Sequence, residues 1–298
     1  MIGKTRQAQA TSVTPATPAT PAASLASEIP DTSPAPGKPR GVLRPSLPQG
    51  EFQHHRRLPS PALAGLIEHY WFVSWDLRGL SAQQQETLPH PNVQLVFEAG
   101  QARIYGVHTA RFIKHLHDQD RVFGIKFRAG GFYPFYRQPI ATLENQSIDI
   151  SACFAEAGKS LCGQILTSPD FDTMYKLAEQ FLLQQLPAPD SQVKRVSSLL
   201  ARIASDRDIT SVEQLMTLAS LDKRALQRLF QKYVGIGPKW VISRYRLHEA
   251  VAQVQEGKTI SWSGLALELG YFDQAHFIRD FRQLVGMSPQ EYEKSIQD

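Results

Sequence analysis

"LELGYFDQAHFIRDFRQLVGMSP", Leu267 to Pro289, decides how the C-terminal part of this chain folds. Phe277, Phe281 and Leu284 recur at i, i+4 and i+7, which lays an apolar stripe along one side of a helix. At about 100° per residue, Arg279 falls opposite the centre of that stripe, flanked by Ala275, His276 and Arg282. Asp273 is placed as an N-cap. Gly270 suits the left-handed position that ends a preceding helix carrying Leu265, Ala266 and Leu269. Two helices joined this tightly must cross steeply, and the second keeps a small, polar, basic outer face. That is the outline of a helix-turn-helix.

The chain offers the outline twice. "VEQLMTLASLDKRALQRLFQKYVG", starting at Val212, places Leu215 and Leu218 on one helix and Ser220-Leu221-Asp222 at a turn. A second helix follows, burying Leu226, Leu229, Phe230 and Tyr233. Opposite its stripe lie Arg224 and Arg228, with Gln227 and Lys232 nearer the edge and Lys223 at the start. Arg224 and Arg228 are like charges at i, i+4, which an isolated helix disfavours by a few tenths of a kcal/mol. A polyanion docked on that face offsets the cost.

Between the units, "PKWVISRYRLHEAVAQVQEG" brings Trp240, Ile242 or Ser243, Leu247, Val251 and Val254 to helical spacing from Pro238 to Gly257. One connecting helix of about 18 residues is roughly 27 Å long. A rod of that length can hold two recognition helices near the ~34 Å repeat of successive major grooves on one DNA face.

With these residues in place, Ile209 to Tyr292 resembles the DNA-binding domain of the AraC/XylS family of bacterial transcription regulators. The likeness rests on "LQRLF" followed by "VG", on "RL" and Ala250 of the connecting helix, and on "LALELGYFDQAHFIRDFRQLVGMSPQEY". It implies two helix-turn-helix units on a bridging helix, the second helix of each entering adjacent major grooves. The residues so marked as DNA contacts are Lys223, Arg224, Gln227, Arg228, Lys232, Gln274, Ala275, His276, Ile278, Arg279 and Arg282. The first unit departs from the family pattern at two places. Met216 stands where a small alanine is usual, and Ser220 where a glycine usually makes the turn. A non-glycine residue held left-handed costs on the order of 1 kcal/mol.

Residues 1–50 are Ala/Pro/Thr/Ser-rich, including "TPATPATP", with too few large apolar side chains to bury a core. They read as a disordered tail without the apolar core of a secretory signal. No run of eighteen apolar residues occurs in the sequence, so nothing is expected to span a membrane. Cys153 and Cys162 could pair, but two cysteines in a chain with a DNA-binding end fit a reducing, cytoplasmic location better. The net charge of +4 is modest, and from Asp190 onward 15 basic side chains face 13 acidic ones. Basic character is therefore local to the two outward faces, which suits docking in one register better than loose coating of DNA.

From Glu51 to about Phe154 the pattern turns to strands: "YWFVSWDL", "NVQLVFEA", "ARIYGV" and "RVFGIKFRAGGF". They suggest a small β-rich barrel or sandwich, followed by helices around Ser160 to Leu166 and Phe171 to Leu186. The expected class is α+β: a β-rich domain at 51–188, then an all-α domain at 189–298 of two helix-turn-helix units joined by a connecting helix. Regulators of the resembled family commonly carry an effector-sensing or dimerising domain in the first position.

Other candidate sites are weaker. His115 and His117 would share a strand face beside Asp118, but no third and fourth metal ligand is identifiable. His54 and His55 beside Arg56 and Arg57 read as a solvated basic stretch at the edge of the tail. "AGKS" at Ala157–Ser160 lacks the glycine a phosphate loop needs, since Cys153 stands there. Trp71 and Trp75 share a face, as core packing or as the lining of a ligand pocket. The glycines of "RAGGFYPF" serve a tight turn.

The expected function is sequence-specific transcription regulation on double-stranded DNA, without cofactor or metal and without enzymatic activity. RNA polymerase, an unidentified small-molecule effector and a second copy of the chain are the other candidate partners. The rival from another class is an enzyme whose β-rich domain processes a small molecule while the DNA-binding end localises it. Some repair regulators pair such parts, but neither cysteine lies in a Cys-Arg or Cys-rich metal context.

Overall fold

The structure, a computed structural model, describes Leu43, residues 50–256 and residues 261–297, all within one compact unit, Ser33–Asp298. Most of the stretch read as a tail lies outside the described residues.

The strands are β1 (Glu51–Arg57), β2 (Ile67–Asp76), β3 (Gln83–Thr87), β4 (Gln94–Glu98), β5 (Gln101–Tyr105), β6 (Phe112–Leu116), β7 (Gln119–Phe127) and β8 (Ser147–Asp149). Six form an antiparallel sheet in the order β1-β2-β7-β4-β5-β8, and β3 and β6 make a separate two-stranded ribbon. The sheet has edges at β1 and β8, so the expected barrel or sandwich is an open sheet instead.

After β7 come a single helical turn, α1 (Tyr133–Tyr136), a 3-10 turn at Ile140–Leu143, then α2 (Ser151–Thr167) and α3 (Phe171–Gln184). Alternation along the strands explains why these helices lie where they do. Tyr70 and Phe72 pair across from Ile125 and Phe123, and with Leu95, Phe97 and Ile104 they bury one sheet face. Phe171 and Tyr175 of α3 close over that face, Tyr175 edge-on to Tyr70 at 5.0 Å.

The opposite face explains the tryptophans. Trp71 lies across its cross-strand partner Gly124, where a Cβ would fall 2.1 Å from the indole. Its Nε1 donates to Gln94 at 3.1 Å. Trp75 is buried with Leu116 of the ribbon, and its Nε1 donates to the His117 carbonyl at 3.1 Å. Both rings pack, as the simpler reading expected.

Several expectations need correction. His54 and His55 are exposed as expected, but they sit within the edge strand β1 rather than in a tail, with His55 stacked on Phe171 at 5.5 Å. The helix expected around Ser160 to Leu166, α2, begins already at Ser151, with a break at Ala155 where φ is +49°. "AGKS" therefore lies in a helix, which a phosphate loop cannot. Strands β1, β3 and β8 were not singled out, because "EFQHHRR", "QQQET" and "SID" lack β-branched runs.

The C-terminal part is all helix: α4 (Ser191–Ser205), α5 (Val212–Ala219), α6 (Lys223–Tyr233), α7 (Pro238–Gln255), α8 (Trp262–Glu268), α9 (Gln274–Val285) and α10 (Pro289–Gln297). Helix α4, which sequence patterning did not single out, lays Val193, Val196, Leu200 and Ile203 into the core of the first helix-turn-helix unit. The "RL" of the connecting helix α7 has a structural cause. Arg246 is 1% exposed and reaches back to the carbonyls of Ile203 and Asp206, the latter at 2.7 Å, so it closes the C-terminal end of α4. Among the described residues no helix is long and apolar enough to cross a membrane.

The two helix-turn-helix units have separate cores, and each core includes residues from the N-terminal part. The first core takes in Val107 and Ala129. Gly235, at φ +96°, lies so close to Ile140 that a Cβ would sit 2.8 Å from it, which fixes the glycine of "VG". The second core takes in Leu88 and Leu43. Leu43 falls within the stretch read as a tail, yet it is 2% exposed. Its N–H donates to the Glu86 carbonyl and its own carbonyl accepts from the Tyr292 hydroxyl, both at 3.0 Å. The expectation that nothing before residue 51 docks is corrected at this residue.

Candidate nucleic-acid interface

In the first unit the sequence dictates each boundary. Ser211 and Gln214 form a reciprocal capping box that starts α5. Ser220 ends it at φ +50°, the left-handed geometry, with the Leu221 N–H donating to the Met216 carbonyl at 3.1 Å. Asp222 then caps α6, its carboxylate accepting from the Ala225 N–H at 2.7 Å. Leu226, Phe230 and Tyr233 are buried and Leu229 is half-buried, which fixes the rotation of α6. Leu218, expected beside Leu215, points outward and is exposed.

The rotation leaves Lys223, Arg224, Gln227 and Arg228 in solvent, and the three cations enter no ion pair among the described residues. Lys232 is exposed but leans back over the rings of Tyr133 and Tyr233, at 4.9 and 5.4 Å. It is drawn toward the N-terminal part and away from the cluster formed by the other three.

The second unit repeats the plan with different residues. Ser261 caps α8. Gly270 takes φ +78° against Thr210, where a Cβ would lie 2.5 Å from the threonine Cβ. Asp273 caps α9 by accepting from the His276 N–H at 2.6 Å. Phe277, Phe281, Leu284 and Val285 are buried, with Phe281 packed among Trp262, Phe277 and Tyr292.

Gln274, Ala275, Arg279 and Arg282 are exposed, as the wheel predicted. Arg279 has no ion-pair partner among the described residues, while Arg282 is 3.5 Å from Glu291. His276 is half-buried, edge-on to Tyr271 at 5.3 Å and 3.7 Å from Asp280. Ile278 is half-buried against the second core, which removes most of its surface from any partner. The family resemblance marked Ile278 as a contact without showing which way its side chain leans.

The N-terminal part also reaches the end of α9 and the connecting helix α7. Arg111 donates to the Val285 carbonyl at the end of α9 at 3.0 Å and pairs with Glu86 at 2.7 Å. Arg244 of α7 is 1% exposed and donates through Nε to the Pro89 carbonyl at 2.7 Å. Its Nη1 and Nη2 have no hydrogen-bond partner, and burial pulls the guanidinium down to about 9.

The remaining candidates do not assemble into a site. His115 is exposed beside Gln84, and His117 is 3.0 Å from Asp118. Among the described residues no group of three or more His, Cys, Asp or Glu could hold a metal. Cys153 and Cys162 are free thiols. Burial pushes the Cys153 thiol up to about 12, and burial with the Asp149 charge raises Cys162 as well. Neither has the lowered pKa that marks a reactive cysteine.

Residues 215–295 match the family described as "Helix-turn-helix domain", and residues 55–149 match "Domain of unknown function (DUF6597)". The C-terminal part carries an AraC-type helix-turn-helix domain. An uncharacterized HTH-type transcriptional regulator of Haemophilus influenzae is 30% identical over 119 residues, a match covering 40% of this chain and 40% of that protein. The invasion protein InvF of Salmonella typhi is 23% identical over 161 residues, 50% of this chain and 72% of InvF. The chain thus spans less than half the length of the Haemophilus relative. Among solved structures, an apo ToxT variant from Vibrio cholerae strain SCE256 aligns over 80% of this chain and 100% of its own, with a TM-score of 0.40 and 12% identity. Both α6 and α9 fall inside the segment that matches the helix-turn-helix family.

Proposed function

We propose that this chain is a sequence-specific transcription regulator that sets α6 and α9 into adjacent major grooves on one face of double-stranded DNA. The observation that carries the reading is the orientation of the two helices. Each buries its apolar stripe in its own core and leaves a polar, basic face in solvent, with Lys223, Arg224, Gln227 and Arg228 on one and Gln274, Ala275, Arg279 and Arg282 on the other. Helix α7, at 18 residues, supplies the spacer between them. Lys232 and His276 serve as peripheral contacts, and Ile278 supports the second core.

In this reading residues 189–298 bind DNA, while residues 51–188 receive an effector or bring two copies together. The contacts of Arg111 with Val285 and of Pro89 with Arg244 support a β-rich part that acts on the DNA-binding part, since they join its ribbon region to α9 and α7. RNA polymerase is the further partner of a regulator of this kind. The enzyme alternative loses support because both thiols are half-buried and neither sits in a setting that lowers its pKa.

Selection of bound sequences from a random duplex pool by the full chain tests the reading. The expected outcome is a consensus with two contacted segments about one helical turn, ~10 base pairs, apart, bound with steep salt dependence. Uniform recovery of all sequences would overturn it.

A further inference from the structure

The two helix-turn-helix turns match residue for residue until just before the recognition helix, and then they part. Ser220 and Gly270 are the left-handed residues, at φ +50° and +78°. Leu221 and Tyr271 follow, each donating its N–H back to the carbonyl five residues earlier, Met216 and Ala266. In the first unit the N-cap Asp222 comes next. In the second, Phe272 is inserted before the N-cap Asp273.

The inserted residue is an aromatic ring in water. Phe272 is 91% exposed, where the other exposed large apolar side chains among the described residues reach 68% at most. It serves neither core, so folding does not explain it. It stands at the N-terminal end of α9, the end of a recognition helix that meets base edges. With Arg279 it lines a shallow depression whose other walls are Asp273, His276, Asp280 and Gln283. The surround is polar and charged, unlike the broad apolar patch that a protein partner buries.

We propose that Phe272 is a specificity-determining DNA contact, its ring covering the 5-methyl group of a thymine beside the base pair met by Arg279. A phenyl ring offers no hydrogen bond, and the thymine methyl is the one apolar group that the major groove displays. The first recognition helix has no counterpart, because its turn is one residue shorter. The inference rests on the DNA-binding reading above.

The test uses the full chain and the sequence it selects. Each thymine in that site is replaced in turn by deoxyuridine, which removes the methyl alone, and affinities are compared for the wild type, Phe272→Ala and Phe272→Leu. The expected result is one thymine whose replacement weakens wild-type binding roughly three- to fivefold, the worth of one methyl taken out of water, and leaves Phe272→Ala unaffected. Phe272→Leu retains part of the sensitivity. Because the ring is exposed, all three proteins should melt together.

The inference is overturned if Phe272→Ala keeps wild-type affinity, which would assign the ring to another partner. It is equally overturned if the alanine variant loses affinity but keeps the wild-type uracil response at every position, which would make the contact one to the backbone. A wild type that selects no sequence fails the DNA-binding reading itself, before any variant is compared.

Discussion

In the first helix-turn-helix unit the left-handed residue is Ser220, exposed to solvent; in the second it is Gly270, pressed against Thr210. The backbone conformation is the same kind, but only one position has room for a Cβ. Glycine is thus demanded by a neighbour in the second unit and merely preferred in the first. The outward faces differ in parallel. Helix α6 carries Lys223, Arg224 and Arg228 with only its own cap, Asp222, of opposite sign on the helix start. Helix α9 mixes Arg279 and Arg282 with Asp273 and Asp280. Under the DNA-binding reading, α6 supplies the greater share of phosphate attraction and α9 the greater share of base discrimination.

The largest expected effect would break the assignment of the second unit's faces. Phe281→Ala empties a position that is 0% exposed among Trp262, Phe277 and Tyr292 and should cost about 3–5 kcal/mol. Thermal melts followed by circular dichroism check it; a variant melting with the wild type means that α9 is rotated wrongly.

Next comes the buried charge on the rod between the units. Arg244→Met removes a guanidinium with two unpartnered nitrogens and keeps an apolar stem of similar length. Replacing buried charge by well-packed apolar groups often stabilises by about 1–4 kcal/mol, so the urea midpoint should rise. A fall would mean that the bond to Pro89 and the guanidinium's place over the Trp240 ring, at 5.8 Å, outweigh the desolvation.

The division of labour is sharpened by a pair of variants. Arg279→Ala should relax base preference at one position at a cost of about 1–3 kcal/mol. Arg228→Ala should weaken all sequences alike and lower the salt slope by about 1. Binding to selected and random duplexes across a salt series separates the two, and identical profiles would erase the proposed difference between the helices.

The smallest effect concerns the turn itself. Because Ser220 sits at φ +50° with its side chain exposed, Ser220→Gly should stabilise by a few tenths to about 1 kcal/mol. Denaturant melts of the full chain decide the sign, and a loss of stability would place the serine hydroxyl in a role that its geometry does not display.

The helical end was legible because its information is local. A 3.6-residue period, Asp at the N-caps of α6 and α9 and a turn residue at each corner are written within a few positions of where they act, and Arg246 could be marked by its motif before its task of closing α4 was visible. The β-rich part was less so. Strand β3 is a run of glutamine and β1 holds adjacent histidines, so their pairing is set by neighbours far along the chain rather than by their own composition. Phe272 was passed over because an aromatic next to a turn reads as core, and only its 91% exposure sets it apart. Helix α4 was written locally, in the spacing of Val193, Val196, Leu200 and Ile203 behind the cap Asp190, whereas the docking of Leu43 depends on tertiary contacts that no local pattern encodes.

The separate seats of the two units on the N-terminal part have a mechanical meaning. The first rests on Val107, Ala129 and Ile140, the second on Leu43, Leu88 and Arg111, and α7 spans between them. One base pair more or less between two contacted DNA segments turns them relative to each other by about 35°. A protein gripped at both jaws as well as along its bar cannot follow that turn by swivelling on a hinge. Under the DNA-binding reading the molecule is built as a caliper, and what would change the DNA spacing it accepts is a shift of the ribbon under one jaw, with the side chains on the outward faces left as they are.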